Sequence, residues 1–165
     1  MSDSEQNLFD ALAGGVFLRL ATQLDSLDVI LRGVSDSALR RRPADGKWSA
    51  LEHLAHLGRY HEVFLERVER ILAEDAPRLG LYRSEDDPGA EPWFGLPVRK
   101  VIERMRGLRA QLALRLANLG PDELLRAGVH PIYGEMPIPL WIEFFLVHEG
   151  HHLYTILRLV RANDG

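Results

Sequence analysis

Apolar residues recur at intervals of three and four along most of this chain, the spacing that gathers them on one face of a helix. Prolines limit that pattern, because proline lacks the N–H a helix interior requires and restricts the residue before it. Nine of them, Pro43, Pro77, Pro88, Pro92, Pro97, Pro121, Pro131, Pro137 and Pro139, leave four proline-free spans that each carry a helical pattern. The first span predicts a helix from about Ser4 to Leu31. Ser4 is its cap, Leu8, Ala11, Leu12, Leu18, Ala21, Leu24 and Leu27 recur at helical spacing, and Gly14-Gly15 weakens it locally. The second begins near Trp48-Ser49, where Ser49 and Glu52 have the spacing of a capping box, and runs to about Ala73. The third spans roughly Pro97 to Leu119 and stops at Gly120-Pro121. The fourth runs from Pro137 or Pro139, both tolerable in a first turn, to about Val160.

Three connections, about residues 32–47, 74–96 and 120–136, are longer than simple bundle turns. The middle one is acidic and ends on Trp93-Phe94, a pair that reads as a staple onto the bundle in preference to a lid or a dimer contact. No repeat or low-complexity tract divides the chain. Residues 1–165 are therefore expected to form a single all-α domain, a four-helix bundle of up-down type with long connections. Val16, Phe17, Leu18 and Leu20 put apolar groups on more than one face of the first helix, which suits full burial and a homodimer contact equally.

Composition narrows the chemistry. The 20 basic residues are outnumbered by 24 acidic ones and interleaved with them, as in Glu66-Arg67-Val68-Glu69-Arg70, so no Lys/Arg stripe of the kind that holds a phosphate backbone is present and no nucleic-acid partner is expected. Met1-Ser2-Asp3-Ser4-Glu5 has no signal-peptide pattern, and no apolar run approaches the roughly 20 residues that cross a bilayer. The expectation is a cytoplasmic protein with no membrane partner, acting on a small-molecule substrate. There is no cysteine, which removes disulfides, thiolate ligands, iron–sulfur clusters and a cysteine nucleophile. A metal here must use histidine or carboxylate, and the seven histidines become the centre of interest.

His148 and His152 are four residues apart and share the helical stripe of Trp141, Phe145, Ile156 and Leu159, so both face inward. Buried imidazoles must find partners, since an unsatisfied buried polar group costs about 1–3 kcal/mol. A shared metal ion solves the problem for two at once, and a hydrogen-bonded core pair is the plainer alternative. His151 points elsewhere and reads as a supporting or surface residue. A third ligand must come from another helix, and the second offers His53, His56 and His61. Its polar arc is centred near Arg59, Glu62 and Glu66, so periodicity alone favours His53 and His61 and places His56 at the edge of the apolar side.

Three segments in order resemble the DinB/YfiT-like superfamily of four-helix-bundle proteins, which includes metal-dependent hydrolases and thiol S-transferases. They are Gly46-Lys47-Trp48-Ser49 through Glu52 to Leu54-Ala55-His56-Leu57, then His130-Pro131-Ile132-Tyr133-Gly134, then His148-Glu149-Gly150-His151-His152. The resemblance covers most of the chain. It implies that His56, His148 and His152 form a three-histidine site for nickel or zinc, overriding the helical-wheel order for the second helix, and it implies a homodimer.

A divalent ion on three neutral imidazoles acidifies water in its open position towards a pKa of about 7, or deprotonates a low-molecular-weight thiol cosubstrate. Hydrolase and thiol S-transferase both follow. Glu149 and Glu52 stand as candidate proton carriers, against plainer roles for Glu149 in an interhelical pair and for Glu52 in a helix cap. His130 decides a further alternative: as a fourth ligand it would close the shell and make the metal site structural and non-catalytic, whereas packed over the bundle end it leaves the site open.

Overall fold

A computed structural model describes residues 14–162. Four long helical segments build the bundle: residues 14–30, then Ala50–Ala73, Val98–Ala117 and Ile138–Arg161. Each proline-delimited span holds one of them. The cap expected at Ser4 and the apolar positions Leu8, Ala11 and Leu12 lie outside the described residues. Gly14 and Gly15 are helical at the start of the described residues, and the first helix passes through a 3-10 turn over Gln23–Asp25. There the Thr22 hydroxyl donates to the Leu18 carbonyl (2.9 Å) and the Ser26 hydroxyl to the Gln23 carbonyl (2.7 Å), side-chain bonds that compete with the regular ladder. Val16 and Leu20 of this helix are buried and Leu18 is exposed.

The second helix opens on the expected capping box. The Ser49 hydroxyl accepts from the Glu52 amide, and the Glu52 carboxylate accepts from the Ser49 amide at 2.8 Å. This fixes the register in which His53, His56 and His61 leave the helix.

The all-α bundle is as expected, with one small pair of strands added to it. The loop before the fourth helix is a β-hairpin, β1 (Ala127–His130) antiparallel to β2 (Gly134–Pro137), with His130 opposite Gly134. Gly134, at φ 74°, takes the left-handed conformation that the turn demands. The hairpin is tied to the bundle by the Val129 amide on the Pro77 carbonyl (2.9 Å) and the Leu79 amide on the Val129 carbonyl (3.0 Å). Short helical turns at Asp36–Arg40, Glu91–Phe94 and Pro121–Leu124 break up the three long connections.

The acidic excursion is stapled as its aromatic pair predicts. Trp93 is buried in the core, its indole N–H donates to Glu62 (3.0 Å), and Arg104 lies over its ring at 4.4 Å. Gly58 makes room for it, since a Cβ there would sit 2.1 Å from the ring. Gly58→Ala is expected to cost about 1–3 kcal/mol by overpacking and to lower the thermal midpoint by several degrees, measured by calorimetry.

The core has two apolar clusters. One contains Leu24, Leu54, Leu57, Met105 and Ile156, and the other Leu20, Phe64, Leu112, Phe145 and Leu146. Near the junction of the two clusters every long helix carries polar side chains: Gln23 on the first, His56 and His61 on the second, Arg109 on the third, and His148, Glu149 and His152 on the fourth. This polar waist positions the site. Among the described residues no helix is long and apolar enough to cross a membrane.

Candidate metal centre

On one side of the waist three imidazoles meet. The Nε2 of His148 lies 3.2 Å from Nε2 of His56 and 3.2 Å from Nε2 of His152, and one nitrogen from each ring lies within 4.8 Å of the other two. His148 and His152 are stacked by their four-residue spacing, and His56 reaches them from the facing helix. His56 and His152 are buried and His148 is half-buried. Among the described residues no other group of three or more His, Asp or Glu side chains closes up in this way.

The proton count of this cluster fits a cation. Each neutral imidazole carries one N–H and one lone pair. A single hydrogen on His148 Nε2 cannot make a good bond to two neighbouring nitrogens, so a purely hydrogen-bonded cluster leaves lone pairs crowded together. The Nδ1 atoms of His56 and His148 are buried without a hydrogen-bond partner, so the far side of these rings gives no compensation. One ion accepts all three lone pairs. Two nitrogens held tetrahedrally on one zinc ion are about 3.3–3.4 Å apart, close to the spacing seen.

Electrostatics keeps these rings neutral. Burial pushes His56 down to about 4, with His53 adding to the effect and Glu85 opposing it. Burial and the neighbouring histidines push His148 to about 3 and His152 to about 2. Unfolding returns these groups to the ordinary value near 6.5, where the unfolded chain takes up protons that the folded chain refuses. Their contribution to stability is therefore complete above about pH 6.5 and is lost as pH falls towards the folded values. Chelator-treated protein is expected to melt at progressively lower temperature from about pH 7 to pH 5, and thermal melts at fixed ionic strength check this.

The other sequence candidates are accounted for. His53 is half-buried and makes the shortest imidazole contact to the fourth helix, Nδ1 to His152 Nδ1 at 2.8 Å, but on the side of His152 away from the converging nitrogens. His151 is exposed, with its ring 5.3 Å from that of His152. His130 is buried at the hairpin, its Nδ1 accepts from the Ile132 and Tyr133 amides (3.1 and 3.2 Å), and its ring packs on Tyr133, Trp141 and Phe144. It stands outside the cluster.

The two carboxylates weighed as proton carriers are engaged elsewhere. Glu52 is held by the cap and by Arg42 (3.0 Å). Glu149 is fully buried on the opposite side of the waist, where it accepts from Gln23 (2.9 Å) and pairs with Arg109. Burial pushes the Glu149 carboxyl up and the Arg109 guanidinium down, and each opposes the other's shift. His61 completes this group. Its Nδ1 donates to the Leu57 carbonyl (2.7 Å), which leaves Nε2 to accept from Arg109 Nε (3.1 Å). Glu149 thus lies in an interhelical ion pair and Glu52 in a helix cap.

Residues 19–156 match the DinB superfamily, and the chain belongs to it. It is 25% identical over 138 residues to the uncharacterized protein YuaE of Bacillus subtilis, covering 74% of this chain and 83% of that one. It is likewise 25% identical over 120 residues to an Oceanobacillus iheyensis protein whose name provisionally makes it a metal-dependent hydrolase, covering 72% of this chain and 69% of the relative. In fold it is similar to YfiT from Bacillus subtilis, described as a probable metal-dependent hydrolase with an unusual four-helix bundle topology. That likeness has a TM-score of 0.67 at 18% identity and covers 99% of this chain and 90% of the other.

Proposed function

We propose that His56, His148 and His152 hold one divalent ion, nickel or zinc, and that the protein is a metal-dependent enzyme of hydrolytic type acting on a small-molecule substrate. The observation that carries this reading is the convergence of three Nε2 atoms beside two buried Nδ1 atoms that lack partners. The names borne by its relatives point the same way. When bound, the ion supplies Lewis acidity and lowers the pKa of a coordinated water or thiol.

The chain's own residues prepare the site. Burial keeps all three imidazoles unprotonated near neutral pH, so no proton need leave before they ligate. Trp48 (5.1 Å from His56), Tyr60 (4.3 Å from His148) and Tyr82 (5.8 Å from His56) wall the cluster with aromatic rings and limit water around it. His130, bonded within its own hairpin, does not supply a fourth ligand, which supports an open site over a closed structural one. A thiol S-transfer at the same position would need a low-molecular-weight thiol as cosubstrate, because the chain has no cysteine.

The test is a survey of ester, amide and lactam substrates with zinc- or nickel-loaded protein, with and without a small thiol. Hydrolysis that needs no thiol, is lost on chelation and returns with metal is the expected result. Thiol-dependent product would move the reading to the transferase, and no turnover in any arm would contradict an enzyme.

A further inference from the structure

We infer that His53 is a positioning residue for this centre: it accepts the Nδ1–H of His152 and so fixes that ring in the tautomer whose Nε2 lone pair faces His56 and His148. The inference rests on the metal reading of the triad. The two Nδ1 atoms are 2.8 Å apart, a hydrogen-bond distance that holds one proton. That proton belongs to one ring or the other. If His53 donated it, His152 would carry its own proton on Nε2, pointing an N–H at His148 Nε2 only 3.2 Å away and blocking ligation. If His152 donates it, Nε2 is free to ligate and His53 carries its own proton on Nε2. Only the second arrangement agrees with three converging lone pairs.

The surroundings hold His53 to this task. It lies one helical turn before His56, and its ring is tilted against His152 at 5.1 Å and meets the Trp48 ring edge-on at 5.4 Å. The two other rings of the cluster have no comparable support, since Nδ1 of both His56 and His148 is buried without a partner. His152 is thus the ligand whose orientation this chain sets with a side chain of its own. Ligating histidines depend on such partners for tautomer and basicity, and removing one typically weakens metal binding about 10–100-fold.

Cobalt(II) titration of the full chain, followed by visible absorption, tests this in the wild type, His53→Leu and His53→Asn. Asparagine places its carbonyl oxygen about where Nδ1 of histidine lies and can accept from His152, whereas leucine cannot. His53→Leu is expected to bind cobalt about 10–100-fold more weakly with an altered spectrum. His53→Asn is expected to stay within a few-fold of the wild type, and the metal-free melting points of all three should be close together. Should His53→Leu not fold, His53→Ala takes its place. Equal affinity and an identical spectrum for the leucine variant, or an asparagine variant as weak as the leucine one, would overturn the role of His53 while leaving the metal site standing. A wild type that binds no cobalt would overturn both, and that outcome is distinct.

Discussion

Arg109→Leu is expected to destabilise the protein by about 3–5 kcal/mol, because it strands the buried Glu149 carboxylate without its counter-charge. Arg109 is almost fully buried and does three things at once. It pairs with Glu149, donates to His61 Nε2, and donates to the Leu20 carbonyl at 2.6 Å, so the first, second and fourth helices are all fastened to the third through one guanidinium. With leucine there, Glu149 keeps the hydrogen bond from Gln23 and His61 Nε2 at 3.5 Å but no fixed positive charge, and His61 loses its only donor among these contacts. For a chain of this length the loss corresponds to a fall of roughly 6–20 °C in thermal midpoint. Removing both charges should be far milder, since a buried pair replaced by apolar groups of similar volume is often neutral or stabilising. Arg109→Met with Glu149→Met is therefore expected to recover most of the stability, and urea melts of the two singles and the double measure the coupling. A single variant within about 1 kcal/mol of the wild type would show that the waist is not held by this pair.

His148→Ala is expected to abolish stabilisation by metal. His148 Nε2 is the atom in contact with both other ligand nitrogens, so its loss leaves His56 and His152 without the centre of the set. An ion at about 100 times its dissociation constant stabilises the folded state by about 2.7 kcal/mol. Wild-type protein with zinc or nickel should then melt about 5–10 °C above chelator-treated protein. The variant's midpoint should be the same with and without the ion. Differential scanning calorimetry at matched pH reads this directly, and an equal metal-induced shift in the variant would place the ion elsewhere.

The helices were legible because their limits are chemical. Proline at 97, 121, 137 and 139 and the Ser49–Glu52 box act locally, and each long helix ends within a few residues of where those signals put it. The hairpin was less legible. Its strands are only four residues long, and the free edge of the first is bonded to Pro77 and Leu79 fifty residues away, a contact that no local pattern announces. His148 and His152 could be read from spacing alone. His56 could not, because the helical wheel ranks positions by distance from the polar arc, and the most buried histidine of the second helix, His61, faces Arg109 of the third helix. The cluster forms on the flank that faces the fourth helix, where an edge position is the right one, and only the likeness of Trp48-Ser49 through His56-Leu57 to a known pattern pointed to it. Arg109 was missed although a signal exists: it sits between Met105 and Leu112 on an apolar stripe, and an arginine there needs a buried acid. The contact of His53 with His152 depends on the register between two helices, which neither helix encodes by itself.

Metal content per chain decides whether the three histidines hold one ion. After dialysis against a mixture of zinc and nickel and removal of loose ions, elemental analysis should find about one divalent ion per wild-type chain. His56→Ala, His148→Ala and His152→Ala should each retain less than about a tenth of that, and His130→Ala should keep it all. A wild type without metal, or three variants that hold as much as the wild type, would rule out an ion on these histidines.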